Sequence, residues 1–168
     1  MLLFQFLLLS GFNHKHYITE LEIITMRLYP AIDIKDGQCV RLKKGLFNEV
    51  TVYSDKPYEI AKAFEESGAQ FIHTVDLDGA LKGHGVNADT IKKIVSSVNI
   101  PVQMGGGIRT LENIKEVLAL GVYRVIIGTK AVENPDFIRQ AIEQFGPEHI
   151  VVGVDAVSYT HLRAHETL

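Results

Sequence analysis

The sequence predicts an α/β fold of the (β/α)8 TIM-barrel class, truncated to about four βα units plus a fifth strand. Three observations carry this. From Arg27 onward, apolar strand-like runs alternate with helix-like stretches that are apolar on one face. The strand-like runs are almost continuously apolar, as expected of parallel strands covered on both faces. Polar or glycine residues recur at the C-terminal end of one strand after another: Asp33, Asp76, Gly105–Gly107, Gly128–Thr129 and Asp155. A barrel builds its site from such a rim. A doubly wound open sheet is the competing architecture, and it would gather its site at one switch point.

The elements follow in order. "LYPAIDI" (Leu28–Ile34) is the first strand, and Asp36-Gly37 is a turn dipeptide after which "QCVRLKKG" (Gln38–Gly45) folds back as a hairpin. Pro57 opens a helix with Ile60, Ala61 and Phe64 on one face, and Gly68 stops it. "FIHTVDL" (Phe71–Leu77) is the second strand. A helix from near Asn87 sets Ile91, Ile94, Val95 and Val98 on one stripe. "PVQM" (Pro101–Met104) is the third strand. Thr110 caps the next helix, which ends at Gly121. "YRVIIG" (Tyr123–Gly128) is the fourth strand. Asn134-Pro135 starts a helix with Ile138, Ile142 and Phe145 inward and Gly146 at its end. "IVVGVD" (Ile150–Asp155) is the fifth strand. A full barrel takes eight strands and roughly 250 residues, so the barrel is expected to be cut near its midpoint.

Residues 1–25 read as an N-terminal extension outside the fold, with Met26 as the natural start. The apolar run "LLFQFLLL" is far shorter than the roughly 20 residues that cross a bilayer, and no basic n-region precedes it, although a targeting segment is the other reading. Residues 26–156 form the partial barrel and 157–168 a non-native tail. A formal net charge of -3 provides no basic footprint for nucleic acid or an anionic membrane. The single cysteine, Cys39, excludes an intrachain disulfide and suits a reducing, cytoplasmic setting.

"GGGIRT" (Gly105–Thr110) lies between a strand and a helix start, where glycine backbone N–H groups can approach an anion. "GTK" (Gly128–Lys130) follows the next strand. As neighbours, the two loops can hold one phosphate; taken singly, each is equally well a tight βα turn. Asp33 and Asp155 end strands one and five, which oppose each other in an eight-stranded barrel. Two facing carboxylates suit paired acid and base catalysis, while a turn or cap role remains the simpler alternative. In "VDLDGA", one of Asp76 and Asp78 can reach a substrate hydroxyl while the other caps or turns the chain. His73 suits a packed core position. Arg109 can clamp a substrate anion or pair with a carboxylate. No Cys/His cluster suggests a metal.

"PAIDIKDGQCVRLKKG", "FIHTVDLDGALKG", "PVQMGGGIRT", "RVIIGTKAVENP" and "VVGVDA" together resemble the histidine-biosynthesis isomerase family, the phosphoribosylformimino-5-aminoimidazole carboxamide ribotide isomerases. The resemblance covers Met26 to Ala156 in order. It implies a twofold-repeated (β/α)8 barrel that binds a bisphosphorylated ribotide, one phosphate per half. It also implies an Amadori rearrangement of aminoaldose to aminoketose, without metal or organic cofactor. Asp33 matches the general base at ribose C2, and Asp155 the general acid that opens the ring. Gly106, Gly107, Gly128 and Thr129 match the first phosphate site, and Arg109 lies in the substrate loop.

The resemblance leaves two relatives open: a bifunctional isomerase that also takes phosphoribosyl anthranilate, and a non-catalytic phosphate-binding half-barrel. The sister cyclase shares both aspartates, but "VDLDGA" and "GTK" resemble the isomerase. "VSYTHLRAHETL" departs from the family and resembles translation into adapter sequence. With one phosphate grip, the chain itself is expected to be inactive. Its parent is expected to be monomeric, and the cut edges of strands one and five are expected to promote self-association.

Overall fold

The computed structural model describes residues 28–43, 46–158 and 161–164. The expected N-terminal extension 1–25, the start at Met26, Gly45 and the end of the tail lie outside the described residues. The first strand, β1 (Ala31–Lys35), turns through Asp36 and Gly37, whose φ values are 51° and 77°. Positive φ at both central residues matches the hairpin twist of a type I′ turn. It returns as β2 (Gln38–Lys43), antiparallel to β1 with Asp33 opposite Val40. A further antiparallel strand, β3 (Leu46–Ser54), extends the hairpin; it was not anticipated.

Four parallel strands follow: β4 (Ile72–Asp76), β5 (Val102–Gly105), β6 (Arg124–Ile127) and β7 (Ile150–Val152). The helices between them are α1 (Pro57–Glu66), α2 (Leu77–Lys82), α3 (Ala88–Ser97), α4 (Leu111–Ala119), α5 (Thr129–Glu133) and α6 (Pro135–Phe145). Pro57 and Pro135 sit in the first turns of α1 and α6, where the missing N–H has no intrahelical partner to lose. Thr110 caps α4 as expected, its hydroxyl accepting from Asn113 N at 3.1 Å. The short helices α2 and α5 were not anticipated; neither holds enough residues for a periodic apolar stripe to register.

The sheet order is β3-β2-β1-β4-β5-β6-β7. Each parallel strand lies beside the parallel strand before it in the chain, and the one change of direction, at β1, is made by the antiparallel hairpin β2–β3 rather than by a parallel crossover. A doubly wound sheet requires a reversal at its switch point; successive addition is the order of a barrel. This resolves the two architectures left open by the sequence.

Helices cover one face of the sheet. Ile32, Ile34, Ile72, Met104, Val125 and Ile127 point into this layer and are buried there with Ile91, Ile94 and Ile114 from α3 and α4. Truncating one such residue to alanine costs about 2–5 kcal/mol. On the other face Asp33, Val75 and Ile126 are only half-buried. Burial of both strand faces therefore holds for β5 but not for β1 and β4, which alternate.

Two edges differ from expectation. Strand one is not bare, because β2 covers it from Asp33 to Lys35. Strand five is shorter: its ladder ends at Gly153, whose N–H donates to Ile127 O at 3.0 Å. The backbone then enters β8 (Val154–Ser158), which pairs antiparallel with β9 (His161–Ala164). A glycine weakens a strand interior, and Val154 takes Ala164 as its partner instead. Among the described residues, no helix is long and apolar enough to cross a membrane.

Candidate active site

The C-terminal ends of β1, β4, β5 and β6 lie side by side, so the loops that follow them share one rim. Asp33 stands near the end of β1, level with Val75 of β4, on the half-buried face. Strand alternation turns it away from Ile32 and Ile34, which face the helices. Its charge reaches Cys39 across the hairpin: burial first, and Asp33 second, push the Cys39 thiol above its usual range.

Asp155 falls in β8, two residues beyond the last ladder bond of the fifth parallel strand, with Arg163 as its cross-strand partner. It does not end strand five as expected, and its side chain lies outside the described residues. Four parallel-strand steps lead from β1, which carries Asp33, through β4, β5 and β6 to β7, the strand that precedes the Asp155 segment in the chain.

Gly106 and Gly107 follow β5 with φ values of 100° and 76°. Both conformations favour glycine, and space enforces the same choice. A Cβ on Gly106 would run into the backbone oxygen of Asp76, and one on Gly107 would lie 2.6 Å from Gly79 O. The glycine loop therefore rests directly on the loop after β4. Gly128 and Thr129 follow the adjacent β6, with Gly105 level with Ile126. The two loops are thus neighbours, as the sequence spacing implied.

Asp76 is fully buried, and its carboxylate is occupied by the protein. It accepts from Gly79 N at 2.8 Å, Val86 N at 2.8 Å, Asn87 N at 3.1 Å and Asn87 Nδ2 at 2.7 Å. Asp76 is therefore the aspartate that caps and turns the chain, rather than a hydroxyl ligand at the mouth. Asp78 is held as well, accepting from Asp36 N at 2.6 Å and Asn87 Nδ2 at 2.9 Å. Arg109 donates from Nη2 to Ala80 O at 3.0 Å and lies across Gly83, where a Cβ would meet Nη1 at 2.5 Å. In this arrangement it fastens the glycine loop to α2 and makes no carboxylate pair among the described residues.

Sequence reasoning missed Asn87 as part of the rim. Its Oδ1 accepts from Gly37 N at 2.9 Å while its Nδ2 serves both aspartates. One buried amide thus joins the turn after β1, the loop after β4 and the start of α3. An asparagine at a helix start was a visible signal, but it reads first as an ordinary cap. Here the side chain makes no cap hydrogen bond to its own helix. Among the described residues, no group of three His, Cys, Asp or Glu side chains could hold a metal.

Comparison with known proteins gives concordant likenesses. The family model described as "Histidine biosynthesis protein" matches residues 27–166. A protein from Lachnoclostridium phytofermentans is 60% identical over 131 residues, covering 78% of this chain and 55% of its own length. One from Syntrophomonas wolfei is 53% identical, with 78% and 54% covered. One from Rhizobium etli is 53% identical, with 78% and 52% covered. All three carry the name of a 1-(5-phosphoribosyl)-substituted imidazole-4-carboxamide isomerase. The chain spans about half the length of the curated relatives it matches.

Proposed function

The chain belongs to the histidine biosynthesis protein family, and on that premise we propose that it is the first half of a (β/α)8-barrel isomerase. In this reading the complete barrel converts a phosphoribosylformimino-aminoimidazole carboxamide ribotide from aminoaldose to aminoketose. The observation that carries it is the junction of the Gly106–Gly107 loop with the Gly128–Thr129 loop, on the same rim as Asp33.

In this mechanism the first-half loops hold one substrate phosphate through backbone N–H groups. Asp155 protonates the ring oxygen as the furanose opens. Asp33 then takes the proton from ribose C2 of the opened, protonated imine, giving an enolamine that tautomerises to the ketone. Protons are conserved between the two carboxyl groups, and no redox partner is required. Asp76, already filled by backbone donors, contributes by holding the rim. Arg109 anchors the glycine loop at α2 and lies at the edge of the substrate path. The substrate is a small bisphosphorylated ribotide, and the setting is the cytoplasm.

In this reading the second phosphate grip lies in the other half of the barrel. A two-phosphate substrate held at one end loses much of the energy that orients it. The 168-residue chain alone is therefore a poor catalyst. The test is complementation of a strain lacking this isomerase, using the chain alone and the chain supplied with the remaining segment of the 60%-identical relative. Growth only with the second segment supports the reading. Failure of both, with soluble protein present, counts against it.

A further inference from the structure

At the end of the sheet opposite the catalytic rim, one buried cation lacks part of its complement. His73, Gln103 and Arg124 are level on adjacent parallel strands, since His73 pairs with Gln103 and Gln103 with Arg124. Level neighbours point to the same face, which here is the face away from the helices. Arg124 Nε donates to Gln103 Oε1 at 2.8 Å. The Gln103 oxygen is thereby committed to Arg124, so its Nε2 can only donate to His73 Nδ1, at 3.3 Å.

The guanidinium stacks 4.6 Å from the Phe71 ring centroid and 5.6 Å from that of Tyr29. Arg124 is 8% exposed, and its Nη2 is buried with no hydrogen-bond partner. No carboxylate pairs with it among the described residues. A buried guanidinium held by a neutral amide and aromatic faces is an incomplete arrangement, because buried charges are ordinarily paired.

We propose that Arg124 is one half of a buried ion pair whose carboxylate comes from the complementary half of the barrel, on the inner floor facing β6. This rests on the closed-barrel reading above. Charge decides the occupant. Among the described residues the floor of this half carries His73, Gln103 and Arg124 and no acid. Asp33 on the same face lies two residues further along its strand. A second copy of the chain would therefore set Arg124 against Arg124. A carboxylate side chain delivered as the barrel closes satisfies both charge and exclusion of water, with the two-point geometry that guanidinium favours. The pair would give the floor a specificity for the correct second half, separate from the rim where substrate binds.

Two measurements test this. In the 168-residue chain, Arg124→Met removes an uncompensated charge while keeping the apolar stem. Its urea midpoint is expected to equal or exceed that of the unmodified chain; a clear fall would mean that Arg124 is already satisfied, and would overturn the proposal. Next, the unmodified chain and the variant are each mixed with the segment of the 60%-identical relative beyond the match. Arg124→Met is expected to weaken association about 30-fold or more. Neutralising one inward floor carboxylate in that segment should do the same, and the double variant should add little further loss. Association insensitive to Arg124→Met overturns the ion pair alone. No association by the unmodified pair overturns the closed-barrel reading and the ion pair with it. Self-association that Arg124→Met abolishes would assign the site to a second copy instead.

Discussion

The side-chain amide of Asn87 lies 2.7 Å from Oδ1 of Asp76 and binds the neighbouring Asp78 with the same nitrogen. Through this one group the rim loops hold each other in position. Asn87→Ala removes donors from two buried carboxylates and an acceptor from Gly37 N. Asp76 keeps its three backbone donors and Asp78 keeps Asp36 N, so Gly37 N is the group left bare. At about 1–3 kcal/mol for one buried group left unpaired, a loss of about 1–3 kcal/mol is expected in urea unfolding. A variant within 1 kcal/mol of the parent would show that the network is dispensable.

Gly106→Ala is expected to be far more damaging than its size suggests. The new methyl group meets backbone, which cannot rotate away, at a φ of 100°. Backbone strain of this kind costs about 1–3 kcal/mol before the clash is counted. Thermal unfolding should show a clear drop, and binding of inorganic phosphate by calorimetry should fall with it. Gly105→Ala makes a useful control, because a Cβ there makes only ordinary contact, 3.6 Å from Ile126 Cβ.

The Cys39 thiol should alkylate slowly until the pH is well above the usual thiol range, since burial and Asp33 both hold it protonated. A thiol raised in the folded state contributes fully below its unfolded value, and that contribution is lost as pH climbs through the folded value. Asp33→Asn should lower the alkylation midpoint only part of the way, because burial is the larger cause. An unchanged midpoint would mean that the two groups do not sense each other.

In a completed, active barrel, Asp33→Asn should lower kcat by about 10²–10⁴-fold with little change in KM, the range for loss of a positioned general base. A rise in KM at unchanged kcat would make Asp33 a binding group instead. Asp155→Asn gives the matching test at the other position.

Much of this structure was legible in the sequence, for physical reasons that differ by element. Apolar runs and terminal signals such as Pro57, Thr110 and Pro135 report directly on local backbone chemistry, so the βα alternation was readable. So was the hairpin, because Asp36-Gly37 suits a turn that few other pairs tolerate. The helices α2 and α5 were hidden by their brevity. β3 was hidden because its side chains are largely exposed and carry no core pattern. At the site, the glycine loops announced themselves by composition. The division of labour between Asp76 and Asp78 did not, because it depends on where Val86 and Asn87 return to the rim. The early end of strand five at Gly153 likewise depends on which backbone partner wins.

The strand order carries a consequence for how the molecule is made. Because β4, β5, β6 and β7 each dock on the parallel strand that precedes them in the chain, no strand waits for a distant partner to be synthesised. Each new βα unit closes a short loop onto a template already formed, which keeps the entropy of closure low and the contacts local. The ribosome can thus extend this sheet one unit at a time from its N-terminal end. The growing edge stays one strand wide at every stage, which limits the surface open to aggregation during synthesis.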